Sequence, residues 1–296
     1  MIAFSLLGKK GNLGNQLFQI ASTIGIAKKN NHDFLFPYWP YSYFFEHQIP
    51  MGVIDSSFKT IVYKEFEYTE KEFNNESYDI EGWLQTEYFF DTKATKHYFK
   101  FNQTIQKDLL KKYTYLFNKP TILITVRRGD FVNNPKFYQL SYKYYFAAIL
   151  EFFPSWKEKN LIFTSDDISY CKKHFKNLKN AFFIDNLSAM EQLILTSNCD
   201  DFIISNSTFS WWVAWLGEKK NSKVICPIKN FSKEYTLEND KDYYPKRWIK
   251  FDYIGYKIPI KYYKIYLVGN LYGAWKNLKY QAKKIKLINS AVKLLK

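Results

Sequence analysis

Cysteine is scarce: Cys171, Cys199 and Cys226 are the only three in 296 residues, widely separated and without a Cys-x-x-Cys pair. That count and spacing exclude a disulfide framework and a zinc knuckle, and they fit a reducing compartment. Histidine is equally thin. His32, His47, His97 and His174 show no metal-ligand spacing, and none stands beside a candidate nucleophile, which argues against a serine or cysteine hydrolase. No long hydrophobic run occurs near the start, where Ile2 to Leu7 gives way to Lys9 and Lys10. Six apolar residues make neither a signal-peptide core nor a membrane span, so the chain is expected to stay cytoplasmic. Acidic residues are missing altogether from residues 257–296, which carry ten lysines, two-thirds of the +15 net charge.

What remains is a globular composition, 47% hydrophobic and 24% charged, which excludes disorder for most of the chain. The 20% aromatic share, accompanied by abundant Lys, Asn and Ile, reflects AT-rich coding more than function. The length suits two domains or one large α/β unit.

The chain opens as strand, glycine-bearing loop, helix and strand: Ile2 to Leu7, Gly8 to Gly14, an apolar stripe from Leu17 to Ala27, then Phe34 to Phe36. A less legible aromatic stretch follows, with a strand expected at Tyr78 to Leu84 and a helix at Gln103 to Leu116. Beyond Pro120 short apolar strands (Ile122 to Val126, Leu161 to Thr164, Phe182 to Ile184, Phe202 to Ile204, Val224 to Cys226) alternate with helices. This pattern predicts an α/β fold of two doubly wound domains, residues 1–117 and 118–256, each with a parallel sheet covered on both faces. A basic extension, residues 257–296, completes the chain. Ligands are expected at the carboxyl ends of strands in the cleft between the domains.

Four stretches carry candidate chemistry. Gly11-Asn12-Leu13-Gly14-Asn15-Gln16 lies between a strand and a helix, where exposed N–H groups suit a phosphate or a sugar, although a tight turn accounts for the glycines equally well. Arg127-Arg128-Gly129-Asp130 follows a strand. Two guanidiniums there suit a diphosphate, with the carboxylate orienting one of them; a surface ion pair is the plainer reading. Ser205-Asn206-Ser207-Thr208 ends another strand and offers donors to phosphate, while Trp211, Trp212 and Trp215 read as core. Ser165-Asp166-Asp167 also closes a strand, where a carboxylate can accept from guanine N–H groups or the turn can simply cap a helix. Asp240-Lys241-Asp242 has the Asp-x-Asp pattern of some metal-using glycosyltransferases, but without supporting ligands it reads as a solvated turn.

Taken in order, Gly11-Asn12-Leu13-Gly14-Asn15-Gln16-Leu17-Phe18-Gln19, Gly82-Trp83-Leu84-Gln85-Thr86-Glu87-Tyr88-Phe89, Arg127-Arg128-Gly129-Asp130-Phe131 and Ser205-Asn206-Ser207-Thr208-Phe209-Ser210-Trp211-Trp212 resemble the signature blocks of the bacterial α-1,2-fucosyltransferases of glycosyltransferase family 11. The resemblance implies a GT-B fold and GDP-β-L-fucose as donor substrate. It also implies inversion to an α linkage on a terminal β-galactoside, with no metal and no other cofactor. By position, Arg127 would stabilise the departing GDP, with Arg128 and Asp130 shaping the same loop. Gly14, Asn206, Ser207 and Thr208 would lie at the donor, with Asn15 near the transferred sugar. Thr125 and Asp201 stand where the family usually has His, and both are expected near the donor, which leaves another GDP-deoxyhexose such as colitose as an alternative. Glu81, Glu87 and Asp130 are the carboxylates in or beside these blocks from which an acceptor base would come, and residues 38–75 and 229–245 are the expected acceptor loops.

The extension places Leu271, Trp275, Leu278, Ala282, Ile285, Val292 and Leu295 on one helical stripe bordered by lysines. Such a helix suits an anionic inner-membrane surface bearing a lipid-linked acceptor, or packs on the body with its lysines in water. Nucleic acid is not an expected partner, because the charge is concentrated in this segment and no basic-aromatic RNA-binding signature accompanies it.

Overall fold

Apolar runs too short to be helices become the strands of two parallel sheets. The fold is seen in a computed structural model that describes residues 1–63, 67–232 and 240–271. In the first sheet β1 (Ile2–Ala3), β2 (Phe34–Leu35), β3 (Lys59–Val62) and β4 (Tyr78–Glu81) take the order β2-β1-β4-β3. The second contains β5 (Thr121–Val126), β6 (Asn160–Ser165), β7 (Ala181–Phe183), β8 (Asp201–Ile203), β9 (Val224–Pro227) and β10 (Ile249–Phe251), ordered β10-β9-β8-β5-β6-β7. Every pairing is parallel. The second order is that of the doubly wound dinucleotide-binding fold, in which the strand order reverses between β5 and β8 and a crevice opens at their carboxyl ends.

Among the described residues seven α-helices connect these strands: α1 (Leu13–Lys29), α2 (Thr92–Tyr98), α3 (Gln103–Lys112), α4 (Tyr142–Phe152), α5 (Ile168–Phe175), α6 (Ala189–Thr196) and α7 (Thr208–Gly217). Helix α1 is buried along almost its whole length from Leu13 to Ala27, and Lys28 and Lys29 complement its carboxyl-terminal dipole. β1 ends at Ala3 rather than Leu7, because the Ser5 N–H and hydroxyl both turn to Asp79. The helix expected at Gln103 to Leu116 stops at Lys112 and tightens into a 3-10 turn at Thr114–Phe117.

The sheets part near residue 118, but the buried core does not. One apolar cluster runs from Ile2 and Phe18 of the first sheet's layer into Trp211, Trp212 and Trp215 of α7. Phe18 lies 4.5 Å from the Trp211 ring, and Phe90 stacks on Trp212 at 5.3 Å, so these tryptophans are core. A polar clamp spans the same interface. Arg247 Nη1 meets Glu87 Oε1 at 2.7 Å and Arg247 also pairs with Glu218, while Trp215 and Trp248 donate to Glu87 (3.0 Å) and Glu218 (2.9 Å). A second cluster fills the layer of α4 and α5.

The start of the basic extension packs on that layer. Residues 263–271 are helical, Tyr266 lies against Tyr142 and Phe146, and His174 Nδ1 donates to the Gly269 carbonyl at 2.6 Å. The stripe expected from Trp275 onward lies outside the described residues. No helix among the described residues is long and apolar enough to cross a membrane.

Candidate functional site

The crevice at the β5/β8 switch holds a cavity of about 530 Å³, the size of a small-molecule site. The amino-terminal ends of α1 and α7 converge on it. Their close approach requires glycine at position 14, where a Cβ would collide with the backbone of Thr208 and Phe209. The first-turn N–H groups of each helix, apart from that of Asn15, which donates to the Asn12 carbonyl at 2.9 Å, have no intrahelical acceptor and carry the positive end of its dipole. Ser207 stands at the N-cap of α7, yet its side chain makes no capping bond.

Arg127 follows β5 into this space. Its Nη2 meets Asp130 Oδ1 at 2.6 Å and its Nη1 meets Asp166 Oδ2 at 2.9 Å. A guanidinium has five N–H groups, so two carboxylate bonds leave donors for an incoming anion. Nε is buried without a partner, and the guanidinium carbon lies 5.4 Å from the Phe131 ring centroid. Phe131 stacks on Phe137 at 4.2 Å, and Phe137 packs on Phe231 at 6.2 Å, giving the cavity an aromatic wall that the sequence reading misses.

Of the residues singled out in the sequence, Gly14, Asn15, Arg127, Asp130, Ser165 and Asp166 line this one cavity, together with Asn206, Ser207 and Thr208. Arg128 and Asp167 do not. The Arg128 guanidinium rests 4.2 Å from the Tyr170 ring centroid, and its backbone N–H donates to Asp166 Oδ1 at 2.8 Å. Asp167 instead caps α5, accepting from the Tyr170 N–H at 3.0 Å and the Ser169 hydroxyl at 2.6 Å. Asp166, expected to face a guanine, thus already holds the arginine loop with both oxygens. Asn206 braces the site, its amide donating to the carbonyls of Tyr138 and Asn230, both at 2.9 Å.

The two positions that depart from the family pattern separate. Thr125 is buried at the carboxyl end of β5, lines the cavity and accepts from the Ser205 N–H at 3.1 Å. Asp201 begins β8, at the opposite end of the sheet, where it pairs with Lys159 at 2.8 Å. The expectation that Asp201 lies near the donor is therefore corrected: a residue at the amino end of a parallel strand faces away from the switch-point crevice. Among the candidate base carboxylates Asp130 alone lines the cavity, since Glu87 belongs to the clamp and Glu81 lies on β4 outside the lining. Asp240 accepts from Asn230 at 2.6 Å and Asp242 from the Tyr68 N–H at 3.4 Å, so the Asp-x-Asp turn is engaged in loop contacts. No cluster of three or more His, Cys, Asp or Glu residues occurs among the described residues.

The glycine loop is held by buried amides whose role the sequence reading misses. Gln16 donates to the Gly11 carbonyl at 3.1 Å and accepts from Trp39 Nε1 at 2.9 Å, while Gln19 donates to the Lys10 carbonyl at 2.9 Å. Their spacing of three puts both on one face of the first turns of α1, the available signal. Gln85 in turn donates to Asn15 Oδ1 at 2.8 Å and fixes that amide in the cavity. Burial raises the phenol of Tyr243 in the cavity wall, and pushes that of Tyr170 up to about 12 despite the nearby Arg128, so both are neutral at pH 7.

The sequence profile described as glycosyl transferase family 11 matches residues 7–252. The chain belongs to that family. It is similar to the O-antigen biosynthesis glycosyltransferase WbnK of Escherichia coli, 36% identical over 123 residues that make up 39% of this chain and 40% of that protein. It is also similar to an alpha-1,2-colitosyltransferase of Escherichia coli, 31% identical over 141 residues, 45% of this chain and 48% of that protein. The matches thus span less than half the length of these curated relatives. Among solved structures, the fucosyltransferase NodZ from Bradyrhizobium superposes with a TM-score of 0.51 at 12% identity, covering 73% of this chain and 92% of that one. At that identity the likeness concerns the fold, which is GT-B.

Proposed function

We propose that the chain moves L-fucose from GDP-β-L-fucose to the 2-hydroxyl of a terminal β-galactoside in a bacterial surface glycan, with inversion and without a metal. Arg127 carries this reading, standing at the switch point opposite two converging helix N-termini inside the cavity. Family membership supports the transferase class, and a NodZ alpha-1,6-fucosyltransferase of the same fold was co-crystallised with GDP.

In the reaction, the acceptor hydroxyl oxygen bonds to the anomeric carbon on the face opposite the diphosphate and gives up its proton to water, while the C–O bond to the diphosphate breaks and its electron pair leaves with GDP. Charge developing on the diphosphate is offset by the Arg127 guanidinium and by the N–H groups at the starts of α1 and α7. Asp130 and Asp166 hold that guanidinium from two sides, and Asn15, fixed by Gln85, faces the sugar. The colitosyltransferase relative favours one second reading, in which the same site accepts another GDP-deoxyhexose.

GDP release from GDP-fucose is the test, measured with and without lactose and N-acetyllactosamine, in EDTA and with Mn²⁺. Acceptor-dependent release that persists in EDTA is expected. Release from GDP-colitose alone would select the second reading, and failure to bind GDP would contradict both.

A further inference from the structure

The cavity has two walls. Arg127, Ser207 and Thr208 come from the second sheet, whereas Trp83, Tyr41 and Gln85 come from loops that follow strands of the first. Among the described tryptophans, Trp39, Trp156, Trp211, Trp212, Trp215 and Trp248 are buried, and Trp83 is half-exposed in the cavity lining. Lys10, itself outside the lining, holds its ammonium 4.9 Å from the Trp83 ring centroid, a cation–π contact that restrains the indole.

The backbone around Trp83 is conspicuously constrained. Gly82 has φ +153°, and a Cβ there would meet Tyr63 Cβ at 3.1 Å. Leu84 adopts φ +54° although its side chain is buried, a conformation unfavourable for a branched residue. Two hydrogen bonds hold its carbonyl in place, from the buried Ser22 hydroxyl and the Thr86 N–H, both at 3.0 Å. A glycine-only conformation on one side and a strained leucine on the other, flanking one partly buried aromatic, mark a preorganised contact surface.

We propose that Trp83 is the platform on which the acceptor's terminal galactose stacks, an inference that rests on the transferase reading above. The axial O4 of a β-galactopyranoside leaves the C–H groups of C3, C4 and C5 on one face, and that apolar face matches an indole ring. With the diphosphate held between Arg127 and the two helix N-termini, the loops after β2 and β4 that carry Tyr41 and Trp83 are left for the acceptor. Trp83 is thus a binding and specificity residue for the acceptor alone.

The test uses the whole chain and its Trp83→Leu and Trp83→Phe variants, with lactose as probe in saturating GDP. Saturation-transfer NMR and titration read lactose binding, and calorimetry reads GDP binding separately. Expected are galactose-ring signals in the wild type, lactose affinity at least tenfold weaker in Trp83→Leu, partial retention in Trp83→Phe, and GDP affinity within twofold throughout. Unchanged lactose affinity in Trp83→Leu, a parallel loss of GDP affinity, or no lactose signal from the wild type would each overturn the platform. Failure of GDP to bind the wild type would instead overturn the donor reading on which it rests, in a different titration.

Discussion

Gly14 is where the two helix N-termini meet, and its missing side chain lets Thr208 sit against α1. Replacing it with alanine inserts a methyl group into backbone that cannot yield, and overpacking of this kind costs ~1–3 kcal/mol. Gly14→Ala is therefore expected to lower the melting temperature and weaken GDP binding together; unchanged values for both would contradict this geometry. Single residues also show where the sequence is informative. Arg127 and Arg128 read alike as diphosphate ligands, but successive residues leaving a strand project to opposite sides. One enters the cavity and the other stacks on Tyr170. Asp166 was legible as a site residue, though its partner was not: Arg127 lies 39 positions earlier, just after a neighbouring strand.

At the scale of elements, the strand–loop–helix opening was legible because buried α1 has a continuous apolar pattern and the central strands of the second sheet are unbroken apolar runs. β3 and β10 were not, since both are short sheet edges of four and three residues with mostly exposed side chains. The loop before α1 depends on contacts that no local pattern encodes, above all the Gln16 amide joined to Trp39. Gln16→Ala leaves the Trp39 N–H without its partner in a buried setting, at ~1–3 kcal/mol, and releases the carbonyl of the exposed Gly11. Urea unfolding is expected to show that loss together with weaker GDP binding, whereas a stability within ~0.5 kcal/mol of wild type would mean that the loop holds itself.

At the scale of the whole molecule, two sheets share one continuous apolar cluster through α1, α6 and α7. The sequence shows the break between sheets, at Pro120, but not the shared core, because contacts such as Phe18 with Trp211 join segments far apart in the chain. A single cooperative calorimetric transition is expected, with calorimetric and van't Hoff enthalpies in agreement; two resolved transitions would contradict the shared core. Arg247→Ala removes the cation between Glu87 and Glu218. Because Arg247 is 46% exposed, solvent screening limits the expected cost to ~1 kcal/mol in a thermal melt.

The proposed transfer depends on Arg127 to offset charge on the departing diphosphate. Its most direct test is steady-state GDP release by Arg127→Ala at saturating GDP-fucose and acceptor, beside calorimetric GDP binding. A fall in kcat of about 10²–10³ with GDP binding largely retained is the predicted result, the loss typical of one preorganised donor to developing negative charge. A kcat within a few-fold of wild type would contradict it.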